Sequence, residues 1–266
     1  MQLRKKTPVT NGTRHQVNLQ KNLLSKTNKL SKVNILGTKF NAGRSSNTGR
    51  ITVWHKGGRV KRLYRVLNFF NNDFNSIVLS NMYDPNRSSF ISLNFDLKNF
   101  NFFNTLSTEL VYPGSLISCS SEKNDLKLGN RTNLKNIPTG SIVHSLSCGK
   151  NKQVLFARSA GTYCQIIQKD LNSCKIRLPS GLVFSVSSES FATLGVVSNS
   201  QHNLTCTGKA GRNRLKGIRP TVRGIAMNPV DHPHGGRTNG GRPSVTPWGI
   251  PTKGKPTVLK KNRNYD

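Results

Sequence analysis

Positive charge is packed into the two ends of this chain, and that partition limits what it can fold into. Residues 1–65 hold 16 Lys and Arg and no acid. Residues 66–206 hold 12 basic and 8 acidic residues, an ordinary globular balance. Residues 207–266 hold 13 basic residues against 2 acids. The total of +31 far exceeds the magnitude of about 2–8 that keeps a small domain soluble. Such ends repel themselves until an anion neutralises them, and a phosphate backbone is the usual one, since Lys and Arg release its condensed counterions. Acidic membranes are the chief competitor.

The ends are also poor in core-forming residues. From Gly208 to Lys255 the chain is dense in Gly, Pro, Arg and Lys, with no period of 2 or 3.6. Ordering backbone opposes folding by about 1–2 kcal/mol per residue. This stretch is therefore expected to take a fixed shape only against a partner. The best helix signal, and a marginal one, covers Asn22–Lys32.

The middle reads as short strands. ITVWH (51–55), RLYRVLNFF (62–70), SIVLSNMY (76–83), SFISLNF (89–95) and SLISCS (115–120) form a first set. SIVHSLSC (141–148), YCQIIQKD (163–170), CKIRLPS (174–180) and LVFSVSS (182–188) form a second, with a linker near 121–137 between them. Pro179-Ser180-Gly181 supplies a hairpin turn and Pro138-Thr139-Gly140 opens the second set. Many short strands with turn signals predict an all-β chain of two small barrels, of OB-type and SH3-like size.

Five cysteines, an odd number with no C-x-x-C pair, read as reduced thiols without a zinc site. The longest apolar runs are of strand length, and no signal-peptide core is present. The basic, acid-free N-terminus resembles an organellar transit peptide in composition.

Two segments could carry chemistry. In GIRPTVRGIAMNPVDHPHGG (217–236), Asp231 could orient His232 as a general base, or His232 and His234 could bind zinc. Against both stands a tight, Pro- and Gly-punctuated loop whose polar groups hydrogen-bond RNA. No nucleophile or cofactor motif accompanies the pair, and a zinc site needs more ligands than are at hand. In GRSSNTGRITVWHKGGRVKRLYRVL (43–67), Gly57 and Gly58 allow close backbone approach and the surrounding cations supply charge. The phosphate-loop pattern G-x-x-x-x-G-K-[ST] is absent. Trp54 and Tyr64 suit stacking on bases, though either could be core.

MNPVDHPHGG (227–236), followed by VTPWGIPTKGK (245–255), resembles the C-terminal signature of the universal large-subunit ribosomal protein two family, in its bacterial type. GRITVWHKGGRVKRLYR (49–65), YDPNRSSFISL (83–93), RTNLKNIPTGSIVHSL (131–146), ARSAGTYCQI (157–166), RLPSG (177–181) and GIRPTVRG (217–224) follow in the family's order. The resemblance implies an OB-like barrel at 49–125, an SH3-like barrel at 126–200, and basic extensions at 1–48 and 201–266 threading into ribosomal RNA. It also implies support of the peptidyl transferase region and of subunit joining, other large-subunit proteins and the small subunit as neighbours, and no membrane partner. His232 would be the family histidine long suspected in peptide-bond formation, a chemistry now assigned to RNA.

On this reading the first set of RNA-binding candidates is Arg50, His55, Lys56, Arg59, Lys61, Arg62, Arg65, Arg87 and Arg158. The second is Lys209, Arg212, Arg214, Lys216, Arg219, Arg223, Asn228, His232, His234, Arg237, Arg242, Trp248, Lys253 and Lys255. No cofactor is expected; a structural magnesium ion shared with RNA stays open. Arg237 and Thr238 stand where the family has a glycine and a glutamate, and Leu215 where it has a tryptophan. TPVTNGTRH (7–15) resembles the start of the mature protein, which argues against a cleaved presequence. The abundance of Asn, Phe, Lys and Ser suggests an AT-rich genome. A mitochondrial protein is expected, with a plastid or bacterial cytoplasm as the alternative.

Overall fold

A computed structural model describes residues 3–21, 24–25, 35–38, 43–69, 73–121, 125–148, 153–237 and 241–254. The chain gathers into two compact units. One comprises Met1–Phe40 and Lys61–Arg212, the other Asn41–Val60 and Asn213–Asp266.

The first unit is all-β, as the alternating middle of the chain requires. Its strands are β1 (Leu3–Lys5), β2 (Val17–Leu19), β3 (Ile35–Thr38), β4 (Leu63–Arg65), β5 (Phe74–Met82), β6 (Ile91–Asp96), β7 (Phe102–Leu106) and β8 (Leu116–Ser120). Then follow β9 (Arg131–Asn133), β10 (Ile142–His144), β11 (Leu146–Ser147), β12 (Val154–Phe156), β13 (Cys164–Lys169), β14 (Ser173–Arg177), β15 (Val183–Ser187) and β16 (Phe191–Leu194). Ten of them join in the order β15-β14-β13-β10-β16-β9-β8-β5-β6-β7. All neighbours are antiparallel except β8 and β9.

Alternation explains the packing. In β5, Phe74, Val78 and Met82 point inward while Asn75 and Leu79 face out. Phe74 and Val78 meet Phe103, Val111, Ile117 and Cys119 in one core. Leu134, Ile137, Val143, Leu146, Ile166, Cys174 and Ile176 build a second. These are the interiors of the OB-type and the SH3-like barrel. β16 serves both: Phe191 enters the first core, and Ala192 and Leu194 enter the second. Each such large side chain contributes about 1.5–3 kcal/mol by leaving water.

Several buried polar groups of this unit are tied to one another or to main chain. The fully buried Asp84 takes Arg87 Nε at 2.6 Å, Arg65 Nη1 at 3.5 Å and the Asn86 amide at 3.0 Å. Arg62 donates to Pro85 O at 2.7 Å. The YDPNR turn is thereby fastened to β4. Arg131 Nη1 donates to Ser145 O at 2.9 Å, and burial pushes its pKa down to about 10.

The observed strands depart from expectation in several places. Only Leu63–Arg65 of 62–70 is a strand. Residues 51–55 are not a strand: Ile51 forms a single bridge to Arg44, and His55 has φ of 57°, outside the extended region. The span 141–148 breaks in two at Ser145, whose φ is 50°. The stretch 121–137 is no simple linker, since Arg131–Asn133 is β9, paired with both β8 and β16. β1, β2, β3, β7, β9, β12 and β16 were not expected as strands, nor was the helix Ala210–Lys216. Of the expected helix Asn22–Lys32, all but Leu24 and Ser25 lies outside the described residues. The hairpin turn at Pro179-Ser180-Gly181 forms as expected, with Leu178 and Leu182 bonded across it. Among the described residues no helix is long and apolar enough to cross a membrane.

His144 gives this unit a pH signature. It is wholly buried, with Nε2 at 2.8 Å from Thr108 Oγ1 and Nδ1 at 2.9 Å from Ser145 Oγ. Burial, reinforced by the charge of Arg131, pushes its pKa down to about 3. An unfolded chain titrates histidine near 6.5. Above pH 6.5 the group is neutral in both states and contributes nothing to the balance. Below it the unfolded chain takes up a proton that the folded chain refuses. Stability therefore falls between pH 6.5 and pH 3, by up to about 1.4 kcal/mol per pH unit. His144→Gln should flatten the dependence between pH 6 and 4.5, read from urea unfolding followed by circular dichroism.

Candidate nucleic-acid interface

The second unit is built on a different principle. No buried hydrophobic side chain occurs among its described residues. It is held by main-chain hydrogen bonds between two segments distant in sequence. Gly57 N donates to Gly217 O at 3.0 Å, Arg219 N to His55 O at 3.0 Å, and Val60 N to Leu215 O at 3.1 Å. Lys56 and Ile218 pair as an antiparallel bridge. At the tip, Thr52 N and Val53 N both donate to Gly43 O, and Arg44 Nη1 reaches Gly49 O at 2.9 Å. The indoles of Trp54 and Trp248 meet edge to face, their centroids 6.1 Å apart.

Residues 227–236 form a compact loop. Asp231 N donates to Asn228 O, Gly235 N to His232 O, and Gly236 N to Met227 O. Gly235 lies so close to Met227 and Asn228 that a Cβ there would sit 2.3 Å from Asn228 O. His232 is 7% exposed, with its ring flat against Gly224, where a Cβ would come within 2.6 Å of the imidazole. Its Nδ1 accepts the His234 main-chain N–H at 3.0 Å. His234 Nε2 lies 2.7 Å from Pro243 O and 3.3 Å from Val245 N, so the ring is held by main chain. Arg242 donates to Pro233 O and to Gly235 O, clamping the loop from outside.

The catalytic arrangement needs an Asp231–His232 hydrogen bond. The bond is absent among the described residues: the Asp231 side chain is exposed, and Nδ1 of His232 is occupied by main chain. Nor do three His, Cys, Asp or Glu side chains gather as a metal would require, among the described residues.

The candidate residues divide by environment. In the second unit Arg50, His55, Lys56, Lys216, Arg219, Arg223, Asn228, Arg237, Arg242, Trp248 and Lys253 are exposed, while Arg59, Arg214 and His234 are half-buried. In the first unit Lys61, Arg158 and Lys209 are exposed, and Arg212 spends one guanidinium nitrogen on Thr207 O. Arg62, Arg65 and Arg87 are engaged by protein at Asp84 and Pro85, so their charge is partly spent inside the fold. Lys255 lies outside the described residues. Sequence reasoning passed over Arg44, which is exposed in the same unit. Its signal was present, a cation inside a Gly- and Ser-rich turn.

The second unit holds 15 Lys and Arg against 2 acids, and Asp231 is the only acid among its described residues. An all-β body joined to coreless, cation-rich segments with exposed rings defines an RNA-binding protein. The comparisons with known proteins agree. Residues 32–119 match "Ribosomal Proteins L2, RNA binding N-terminal domain", and residues 127–249 match "Ribosomal Proteins L2, C-terminal domain". The chain is 43% identical over 270 residues to "Large ribosomal subunit protein uL2m" of Reclinomonas americana, covering 99% of this chain and 96% of that one. It is 44% identical over 267 residues to "Large ribosomal subunit protein uL2" of Wolbachia sp. subsp. Brugia malayi (strain TRS), covering 97% and 94%. The chain belongs to the ribosomal protein L2 family, a structural RNA-binding constituent of the large ribosomal subunit.

The loop geometry is tested by Gly235→Ala. The added methyl collides with main chain, which cannot turn aside. Affinity for large-subunit RNA should fall by roughly an order of magnitude, about 1.4 kcal/mol. Gly211→Ala, with open space around the site, should leave it unchanged. Filter binding of the two variants, with circular dichroism to confirm the β body, makes the comparison.

Proposed function

We propose that this protein serves in a mitochondrial ribosome, where it stabilises large-subunit RNA around the peptidyl transferase region and supports subunit association. On this proposal the OB-like barrel at 49–125 and the SH3-like barrel at 126–200 dock on folded RNA by shape and phosphate contact. The extensions at 1–48 and 201–266 fill gaps between RNA helices. Arg219, Arg223 and Arg237, exposed in the second unit, neutralise phosphates, and Arg242 shapes the His-Pro-His loop from its edge. The role of His232 is structural: it props the loop on Gly224 and the His234 amide. Other large-subunit proteins and the small subunit are the expected neighbours.

One observation carries the reading: a unit with 15 basic residues and no buried hydrophobic side chain among its described residues. No buried hydrophobic core among its described residues offsets the repulsion of these cations, and a polyanion supplies what is missing. The mitochondrial setting draws on the uL2m of Reclinomonas americana and on the AT-rich character of the sequence. The full chain should bind large-subunit RNA with a steep salt dependence. Engagement of roughly ten phosphates gives a slope of log K on log salt of about −7 to −9. The protein should also sediment with the mitochondrial large subunit. A flat salt response, or absence from that fraction, contradicts the proposal.

A further inference from the structure

The second unit contains a groove of about 600 Å³. Its apolar wall is made of Trp54, Trp248 and Met227, and its cations are Arg44, Lys56 and Arg219. No acid lines it. We propose that this groove takes an unpaired base of an RNA strand, stacked on the Trp54 and Trp248 indoles while the cations hold the flanking phosphates. The inference rests on the RNA-binding reading above and names the ligand of one site within it.

The ring geometry supports this. Trp54 and Trp248 are inclined at 65°, so one ring's edge meets the other's face. That pairing does not use up both faces of either ring. Trp54 is 53% exposed and Trp248 70%. Two large indoles left half in water, in a unit with no buried hydrophobic side chain among its described residues, are a weak substitute for a core. They are well suited to a flat aromatic ligand, because stacking needs an accessible face rather than an enclosed pocket.

The cations decide which flat ligand. Arg44, Lys56 and Arg219 are all exposed. A ligand that unites a planar ring with a negative charge on either side matches both features, and a nucleotide within a strand is that ligand. A protein partner would need acidic groups flanking an aromatic anchor. His232 is the buried polar side chain among the described lining residues, and since stacking itself needs no base-specific hydrogen bond, recognition should tolerate all four bases. Its volume exceeds what one base fills, leaving room for the ribose and a phosphate.

The chain has only two tryptophans, and both line the groove. Indole fluorescence of the full-length protein therefore reports on this site alone. The protein is titrated with single-stranded RNA of about ten nucleotides, and separately with an abasic ribose-phosphate strand of equal length. The base-bearing strand should quench most of the emission; the abasic strand should bind through charge with little quenching. Trp54→Leu and Trp248→Leu should each lower the ratio of the two affinities about ten-fold. Trp54→Phe should restore much of the ratio, because a phenyl ring still stacks. Equal quenching by the two strands overturns the proposal, as does a ratio unmoved by both leucine variants. Either result leaves RNA binding through charge intact. Failure to bind either strand overturns the RNA-binding reading as well.

Discussion

Like charges concentrated on one stretch of chain repel, and every other feature of this protein accommodates that fact. The first unit also carries an excess of cations, 26 Lys and Arg against 8 acids, but it has a packed interior to hold it together. It buries apolar cores, and its buried Asp84 is met by Arg65 and Arg87. The second unit has no buried hydrophobic side chain among its described residues. Its segments are joined by main-chain bonds such as Gly57 to Gly217 and Arg219 to His55, which are indifferent to side-chain charge. A net contribution of about 0.5–1.5 kcal/mol per such bond does not offset the ordering of that many residues and their mutual repulsion. The remainder must come from phosphate.

The two construction principles serve one task. A β body with filled cores supplies fixed surfaces, and two of its buried polar side chains are held in place: His144 stays neutral between two hydroxyls, and Arg131 reaches the Ser145 carbonyl. Coreless segments supply reach. Their glycines let main chain pass close to main chain, as at Gly235, and keep the loop slim. The histidines of that loop are part of its scaffold. Nδ1 of His232 and Nε2 of His234 are both spent on main-chain partners, which explains two rings in the loop without invoking chemistry.

Much of the β body was legible in the sequence. Where apolar and polar residues alternate over five or more positions, as in β5, β6, β13 and β14, the expected strand formed. Short strands buried on both sides were not legible: Arg131–Asn133 and Phe191–Leu194 show no alternation because neither face meets water. The β-branched run at Ile51–Val53 misled for the opposite reason. Local propensity favours a strand there, but the positive φ of His55 turns the chain to meet Leu215–Arg219. The loop at 227–236 was conspicuous from its Pro, Gly and His content, whereas the direction of each imidazole depended on contacts that only folding creates. The same holds for Arg65 and Arg87, indistinguishable in sequence from phosphate-binding arginines until Asp84 is found between them.

Hydrogen exchange of the full-length protein, free in solution and within assembled large subunits, tests the division between a self-sufficient body and an RNA-dependent arm. Amides of β13 and β14 should exchange slowly in both states. Amides of Gly57, Val60, Gly217 and Arg219 should exchange quickly in the free protein and slowly only in the subunit. Equal protection of those four amides in the free protein would contradict the account, since the second unit would then hold its shape without an anion.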